Sequence, residues 1–416
     1  MHLKFAIPGN AACGLMGSIF ASLMLSLAGC RYATPACDPY LADRQLACRT
    51  GYAIERTPAC HAHLPAGVTL DDGLTEAEAV ETALSNNSSF QATLAQLGMA
   101  CGDSLQASML SNPSVLIYFP TSVKEGQYTL YAPIEAFLLR PARVKAANRE
   151  YCRVGRQLVQ NGLDVARDVR VAYIDLALAD AQAQLAQEAV DIREQLLRLT
   201  GQRLAEGDIS QLESITAKVD RINAVATEQV RRHDVAIAEA KLVSLMGIPL
   251  LDASFVPTGI PRVDVGTLDE AHLVAQALAY RPDYHAARWA VSAAQQRAQL
   301  SRWSWLRFDG VLDVRSGNGP TRTGGGVRFD LPIFNRNQGG VMRADWELEA
   351  AKHARDAIRD QIVQDVRTAV RQYQQATENL EVLERDAAPT IAEALAIAKK
   401  GYADGGTDYL LVLQTS

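Results

Sequence analysis

The stretch VARDVRVAYIDLALADAQAQLAQEAV, residues 165–190, decides how the chain is built. Its apolar positions Val165, Val169, Ala172, Leu176, Ala179, Ala183, Ala186 and Val190 alternate spacings of four and three, the signature of a helical seam that packs against another helix. A second stretch, IVQDVRTAVRQYQQATENLEVLERDA at 362–387, matches it position for position 197 residues later: Ile362, Val366, Ala369, Tyr373, Ala376, Leu380, Leu383 and Ala387. The chain is therefore two copies of one long-helix unit.

Outward from the seams the repeat continues. At a shift of 194, Leu74-Thr75-Glu76-Ala77 meets Leu268-Asp269-Glu270-Ala271, and Thr75 and Asp269 are both competent N-caps for a short helix. At a shift of 198, Ala205-Glu206-Gly207 meets Ala403-Asp404-Gly405, a helix-stopping glycine in each copy. Residues Ala142 to Leu204 carry no proline, so a continuous helix there reaches roughly 95 Å. Its counterpart, about Gly339 to Tyr402, is interrupted at Pro389, where a kink or a split is expected. Leu212, Ile215, Val219, Ile222 and Ala226 supply an antiparallel return helix that stops near Gly247-Ile248-Pro249.

Between the helices lie strands of period two. Phe308, Gly310, Leu312 and Val314 alternate with Arg307, Asp309, Asp313 and Arg315; Val327, Phe329, Leu331 and Ile333 alternate with Arg328 and Asp330. In the first copy Tyr128, Leu130, Ala132 and Ile134 alternate with Gln127, Thr129 and Glu135, and Val115 to Phe119 is a shorter run. Length and pattern suit membrane strands with Phe308, Leu312, Val314, Val327, Phe329 and Leu331 toward lipid and charge on the other face; edge strands of a soluble sheet are the alternative. Four strands cannot close a barrel, so membrane strands of this kind require several chains to share one. Thr121 to Gly126 and Ser316 to Gly326, with its Gly324-Gly325-Gly326, read as the turns.

The N-terminus reads as an export signal. Lys4 precedes an apolar run from Leu15 to Ala28 that closes on Leu27-Ala28-Gly29-Cys30. That ending resembles the bacterial lipobox, which implies lipidation at Cys30, and Arg31 after it fits sorting to the outer membrane. Residues 31 to 70 read as a polar linker from the lipid to the body. In an oxidising compartment Cys37, Cys48 and Cys60 could pair in several ways, while Cys101 and Cys152 follow later. Cys60-His61-Ala62-His63 holds metal-competent side chains without a second cluster at zinc spacing, so no metal site is assigned.

The 416 residues carry a net charge of −6, 48% hydrophobic and only 6% aromatic residues. The charge is too small to imply a charged partner, and no basic stripe points to nucleic acid. His233, His272, His285 and His353 lie on expected helices without i, i+4 pairing, and no nucleophile sits in a recognisable frame, so neither catalysis nor a cofactor is expected.

Taken together, the lipobox, capped helix, strand pair, very long helix, glycine turn and return helix resemble the TolC family of outer-membrane efflux proteins, in its lipid-anchored branch. Leu331-Pro332-Ile333-Phe334-Asn335-Arg336-Asn337-Gln338-Gly339 resembles the family's strand-to-helix passage, and Arg203-Leu204-Ala205-Glu206-Gly207-Asp208-Ile209-Ser210 its periplasmic hairpin tip. The resemblance implies a mainly α protein with membrane β: a homotrimer whose four strands per chain form a twelve-strand barrel above a helical periplasmic tunnel. It also implies an inner-membrane pump and a periplasmic adaptor as partners. Glu206, Asp208, Asp404 and Asp408 are the candidates for the tip or gate, with ordinary helix-end chemistry as their plain explanation. Three departures stand out, the first that Leu411-Val412-Leu413-Gln414 stands just after the second turn, where family members with acidic rings near the tip carry carboxylates. Ala132-Pro133-Ile134-Glu135-Ala136-Phe137 replaces the clean passage in the first copy, and Ser416 aligns near Lys218, so the last return helix is expected to be incomplete and the chain truncated. The expected layout is a signal peptide at 1–29, a lipidated linker at 30–70, a first repeat at 71–249, an equatorial linker at 250–266 and a second repeat at 267–416. A lipid-anchored periplasmic coiled-coil scaffold or adaptor is the alternative function.

Overall fold

A computed structural model describes residues 37–403, except 39, 53, 55–62, 66–67, 69–72, 122–123, 250–256, 259–265, 267 and 318, together with 406. The signal segment, Cys30, Cys60 to Ala62, Asp404 and Asp408 lie outside the described residues.

The first copy comprises α1 (Leu41–Thr50), α2 (Glu76–Asn86), α3 (Ser88–Ser108), β1 (Ser114–Tyr118), β2 (Gly126–Pro133), α4 (Glu135–Glu206) and α5 (Gln211–Met246). The second repeats the order with α6 (Glu270–Tyr280), α7 (Pro282–Ser301), β3 (Phe308–Ser316), β4 (Arg322–Phe329), α8 (Gln338–Val382), a π-helical turn (Leu383–Ala387) and α9 (Ala388–Ala403). The duplication read from the seams is thus a duplication of elements. Each capped short helix is followed by a second helix, α3 or α7, that the sequence pattern had not separated.

Local chemistry sets the boundaries. Thr75 accepts from the Glu78 amide and Glu78 reaches back to the Thr75 amide, a full capping box. Asp269 caps α6 through the amides of Ala271 and His272. At 72 residues α4 is about 108 Å long. It begins earlier than expected, with Pro141 inside it but close enough to the N-terminus that few bonds are lost; nearby, Arg143 donates to the Ala136 carbonyl at 3.2 Å. Gly207, at φ 83°, ends α4 in the left-handed conformation, and Ser210 caps α5. At Pro389 the helix does not break: a π-helical turn lies just before it, in which the Ala388 amide donates to the Leu383 carbonyl.

The core gathers where α1, α2, α3 and the end of α5 surround the middle of α4. Leu46, Val80, Leu84, Phe90, Leu94, Leu97, Leu158, Val159, Tyr173, Leu176, Leu242 and Met246 are all buried there. Gly162 of α4 faces the methyl groups of Leu46, so α1 rests directly on the long helix. Part of the stretch read as a linker is therefore a docked helix, with Ala42 and Leu46 inaccessible to solvent. Tyr173 reaches the carbonyls of Leu74 and Thr258, each at 2.8 Å, beside a parallel bridge between Leu74 and Pro257, and so ties the start of one repeat to the approach of the next.

Burial divides the seams. Val169, Ala172, Leu176 and Val190 are buried, whereas in the second copy Ile362 is buried and Leu380 and Leu383 are exposed. The stripe Leu212, Ile215, Val219 and Ile222, expected to face α4, is instead exposed in the single chain. Within the chain α5 meets α4 through Ala217, Leu242 and Met246. A second exposed stripe, Val171, Ile174, Leu178 and Leu185, runs along α4. Two-sided helices of this kind have more apolar surface than one chain can cover.

Candidate channel wall and periplasmic tip

The four strands form one antiparallel sheet in the order β1-β2-β3-β4. Its register aligns Val115 with Leu130 and Leu312, Ile117 with Tyr128 and Val314, Gly310 with Val327, and Phe308 with Phe329. Directly paired residues share a face, so one face carries Val115, Ile117, Tyr128, Leu130, Phe308, Leu312, Val314, Val327 and Phe329. Five of the six positions expected toward lipid lie on this apolar face. The sixth, Leu331, lies beyond the end of β4 and is exposed. The opposite face is polar: Thr129 Oγ1 and Gln127 Nε2 donate to Asp313 Oδ1 at 2.9 and 2.8 Å, and Arg315 reaches Asp313 Oδ2 at 2.9 Å. On the same face the Arg328 guanidinium lies 5.4 Å from the Tyr131 ring centre, with Asp309 opposite it in register.

The fourth strand lies further upstream than the alternation at Val327 to Ile333 suggests. Gly324, Gly325 and Gly326 pair with Asp313, Leu312 and Val311, so the glycines are strand and not turn. Without side chains, they join the ladder only because β3 offers its free edge. The passage from β4 into α8 turns on Asn337 at φ 62°, whose side-chain Nδ2 donates to the Ser301 carbonyl at 2.9 Å. In the first copy Ile134 donates to the Phe308 carbonyl at 3.1 Å and Glu135 accepts from the Phe308 amide at 3.3 Å, which fixes α4 directly beneath β3.

At the far end of α4, Glu206 and Asp208 are exposed around the Gly207 turn, and no ion pair among the described residues includes them. What the fold brings together there was not singled out in the sequence. Arg203 Nη1 donates to the Tyr402 carbonyl at 3.2 Å and its guanidinium stands 4.9 Å from the Tyr402 ring centre. The Tyr402 hydroxyl meets Thr200 Oγ1 at 3.3 Å. Leu196, Ala217, Ala398 and Tyr402 bury one another behind these contacts, so the end of α9 is clasped to the α4–α5 hairpin close to its turn.

Ion pairs brace the shaft above. Burial would raise the Glu150 pKa, but Arg153 and Arg297 outweigh it and hold the carboxyl below the usual glutamate range, joining α4 to α7. Arg281 binds Asp283 at 2.7 Å and Asp365 at 3.2 Å, and these carboxylates raise its pKa against the opposing effect of burial. No helix among the described residues is long and apolar enough to cross a membrane.

A wall with one apolar and one polar face, set on paired helices of this length, has a matching family. The model of outer membrane efflux proteins covers residues 79–248 and 273–416, one segment per repeat. This chain belongs to the outer membrane efflux protein family. It is 25% identical over 358 residues to the cobalt-zinc-cadmium resistance protein CzcC of Cupriavidus metallidurans, covering 82% of both chains. Among solved structures, the outer membrane protein VceC of Vibrio cholerae superposes with a TM-score of 0.69 at 20% identity, over 82% of this chain and 88% of that one. The open-state outer membrane channel MtrE of Neisseria gonorrhoeae gives 0.65 at 16%, over 87% and 91%. The efflux protein described here is accordingly an outer-membrane efflux channel component, its sheet the barrel segment and its helices the tunnel segment.

Proposed function

We propose that three copies of this chain close one twelve-stranded barrel, anchored through lipid at Cys30, and that the assembly is the exit duct of a pump complex for divalent transition-metal cations. The observation that carries the assembly is the two-faced sheet, whose outer edges at β1 and β4 have no strand partner within the described chain. Open edges are not tolerated in lipid, so β4 of one copy must pair with β1 of the next. Two copies would give eight strands, whose interior side chains fill; three give twelve and leave a lumen. The exposed stripes on α4 and α5 are the surfaces for the same three-fold contact below the membrane. Substrates would be delivered by an inner-membrane pump through a periplasmic adaptor docking at the tip, where the Arg203–Tyr402 clasp holds α9 against the α4–α5 hairpin in the closed state and Glu206 and Asp208 present carboxylates to arriving cations. The cation class is supported by CzcC and by the nickel-cobalt-cadmium resistance protein NccC, 24% identical over 267 residues. A conduit of this design performs no bond chemistry.

Crosslinking of fractionated membranes tests the assembly. Trimers in the outer membrane are the expected result, and peripheral monomers or dimers would refute it in favour of a lipid-anchored scaffold. Loss of the gene should lower tolerance to Co2+, Zn2+ or Cd2+; unchanged tolerance with lost tolerance to an organic toxicant would remove the cation assignment.

A further inference from the structure

Three thiols that transport does not use lie at one level of the body. Cys37 precedes α1, Cys101 belongs to α3 and Cys152 to α4, and both helical cysteines pack on the core. The Cys37 thiol donates to the Cys101 carbonyl at 3.7 Å, which sets it directly against the other cysteine. Its backbone is held in place next door: the Asp38 amide donates to the Tyr151 hydroxyl at 3.0 Å, and that hydroxyl donates to the Asp38 carbonyl at 2.6 Å. Two cysteines set this close, each on anchored backbone, are placed for a disulfide to close between them.

We propose that Cys37 and Cys101 form a disulfide, a covalent staple that fixes the segment ahead of α1 to α3. The proposal rests on the export of the chain into an oxidising compartment. The oxidant is a disulfide, carried by an exported thiol oxidoreductase or a small molecule. One thiol, losing its proton, attacks the carrier disulfide and expels a carrier thiolate. The second thiolate then attacks the resulting mixed disulfide and expels the other carrier sulfur, so two electrons and two protons leave the pair and the carrier ends as a dithiol. Burial and the neighbouring Cys101 push the Cys37 thiol up to about 11, so Cys37 is mostly neutral near pH 7. Cys48 is exposed on α1, and no hydrogen bond among the described residues joins Cys152 to either member of the pair.

The test uses the purified full chain, reduced, then exposed to oxidised glutathione, alkylated and mapped by mass spectrometry. A linked peptide containing Cys37 and Cys101, with Cys48 and Cys152 alkylated, is the expected result. Cys101→Ser should abolish the linked peptide, while Cys152→Ser should leave it in place. Both thiols remaining alkylatable, or Cys37 joined to any other cysteine, would overturn the proposal even if neither variant folds. Because the pairing is read in vitro, a bond that the purified chain forms but that is missing from protein recovered from cells counts against the export reading and leaves the pairing demonstrated.

Discussion

Arg203 is the side chain whose removal should change transport most per atom lost. In Arg203→Ala the tip forfeits a charge-assisted hydrogen bond to the Tyr402 carbonyl and a cation–π contact with its ring. Separately these are about 1.5–3 kcal/mol and about 0.5–2 kcal/mol. They come from one partly solvated side chain, so about 2 kcal/mol per protomer is a sound joint figure, equal to roughly a 30-fold shift of the clasp toward open. Tyr402→Phe keeps ring and carbonyl and loses the contact with Thr200, about 0.5–1.5 kcal/mol. Single-channel recording in planar bilayers reads both: Arg203→Ala should lengthen open dwell times and raise mean conductance well beyond Tyr402→Phe. Unchanged gating in Arg203→Ala, or an equal effect from neutralising Glu206 and Asp208 together, would refute the assignment of the closed state to this clasp.

Placing Arg at Leu312 or Phe329 puts a charge on the lipid face at about 2–4 kcal/mol near the bilayer midplane; outer-membrane trimer yield should collapse, while Asp313→Asn on the polar face should spare it. Gly247→Ala demands a left-handed alanine at φ 76° and drives its Cβ into the Asn86 carbonyl, so thermal melts should show a loss above the roughly 1–3 kcal/mol of backbone strain alone. Glu150 has a lowered folded-state pKa, so its contribution is present above the ordinary glutamate value and is lost as pH falls through the lowered one. Acid titration of stability should therefore be flatter in Glu150→Gln, and an identical acid slope would remove the Glu150 pairs as its source.

Much of the architecture was legible because it is periodic or capped. The seam from Val165 to Val190, the Thr75 and Asp269 caps and the Gly207 and Gly247 stops each carry their own local physics. Where a partner decides, the sequence is silent. Gly324 to Gly326 have turn composition, yet the free edge of β3 makes them strand. Asp43, Arg44, Gln45 and Arg49 give α1 the look of a tether, and only Ala42 and Leu46, buried against α4, reveal it as a docked helix. The stripe at Leu212 to Ile222 announces a packed face without saying whose surface covers it. Thr200 and Tyr402 are 202 residues apart, so no spacing rule could bring them together.

The π-helical turn before Pro389 also explains an arithmetic oddity of the repeat. Between the seams the two copies are offset by 197 residues, but at the tip the offset is 198, so the second copy holds one residue more between its last seam position, Ala387, and Ala403, and the π turn at Leu383–Ala387 directly adjoins that interval. In an unbroken α-helix that residue would swing everything beyond it by about 100° around the axis. A π turn spends one extra residue on a single revolution and restores the phase. Tyr402 consequently faces Arg203 despite the insertion, and deleting one residue from Leu383–Ala387 would have to be matched by losing the π turn for the clasp to survive.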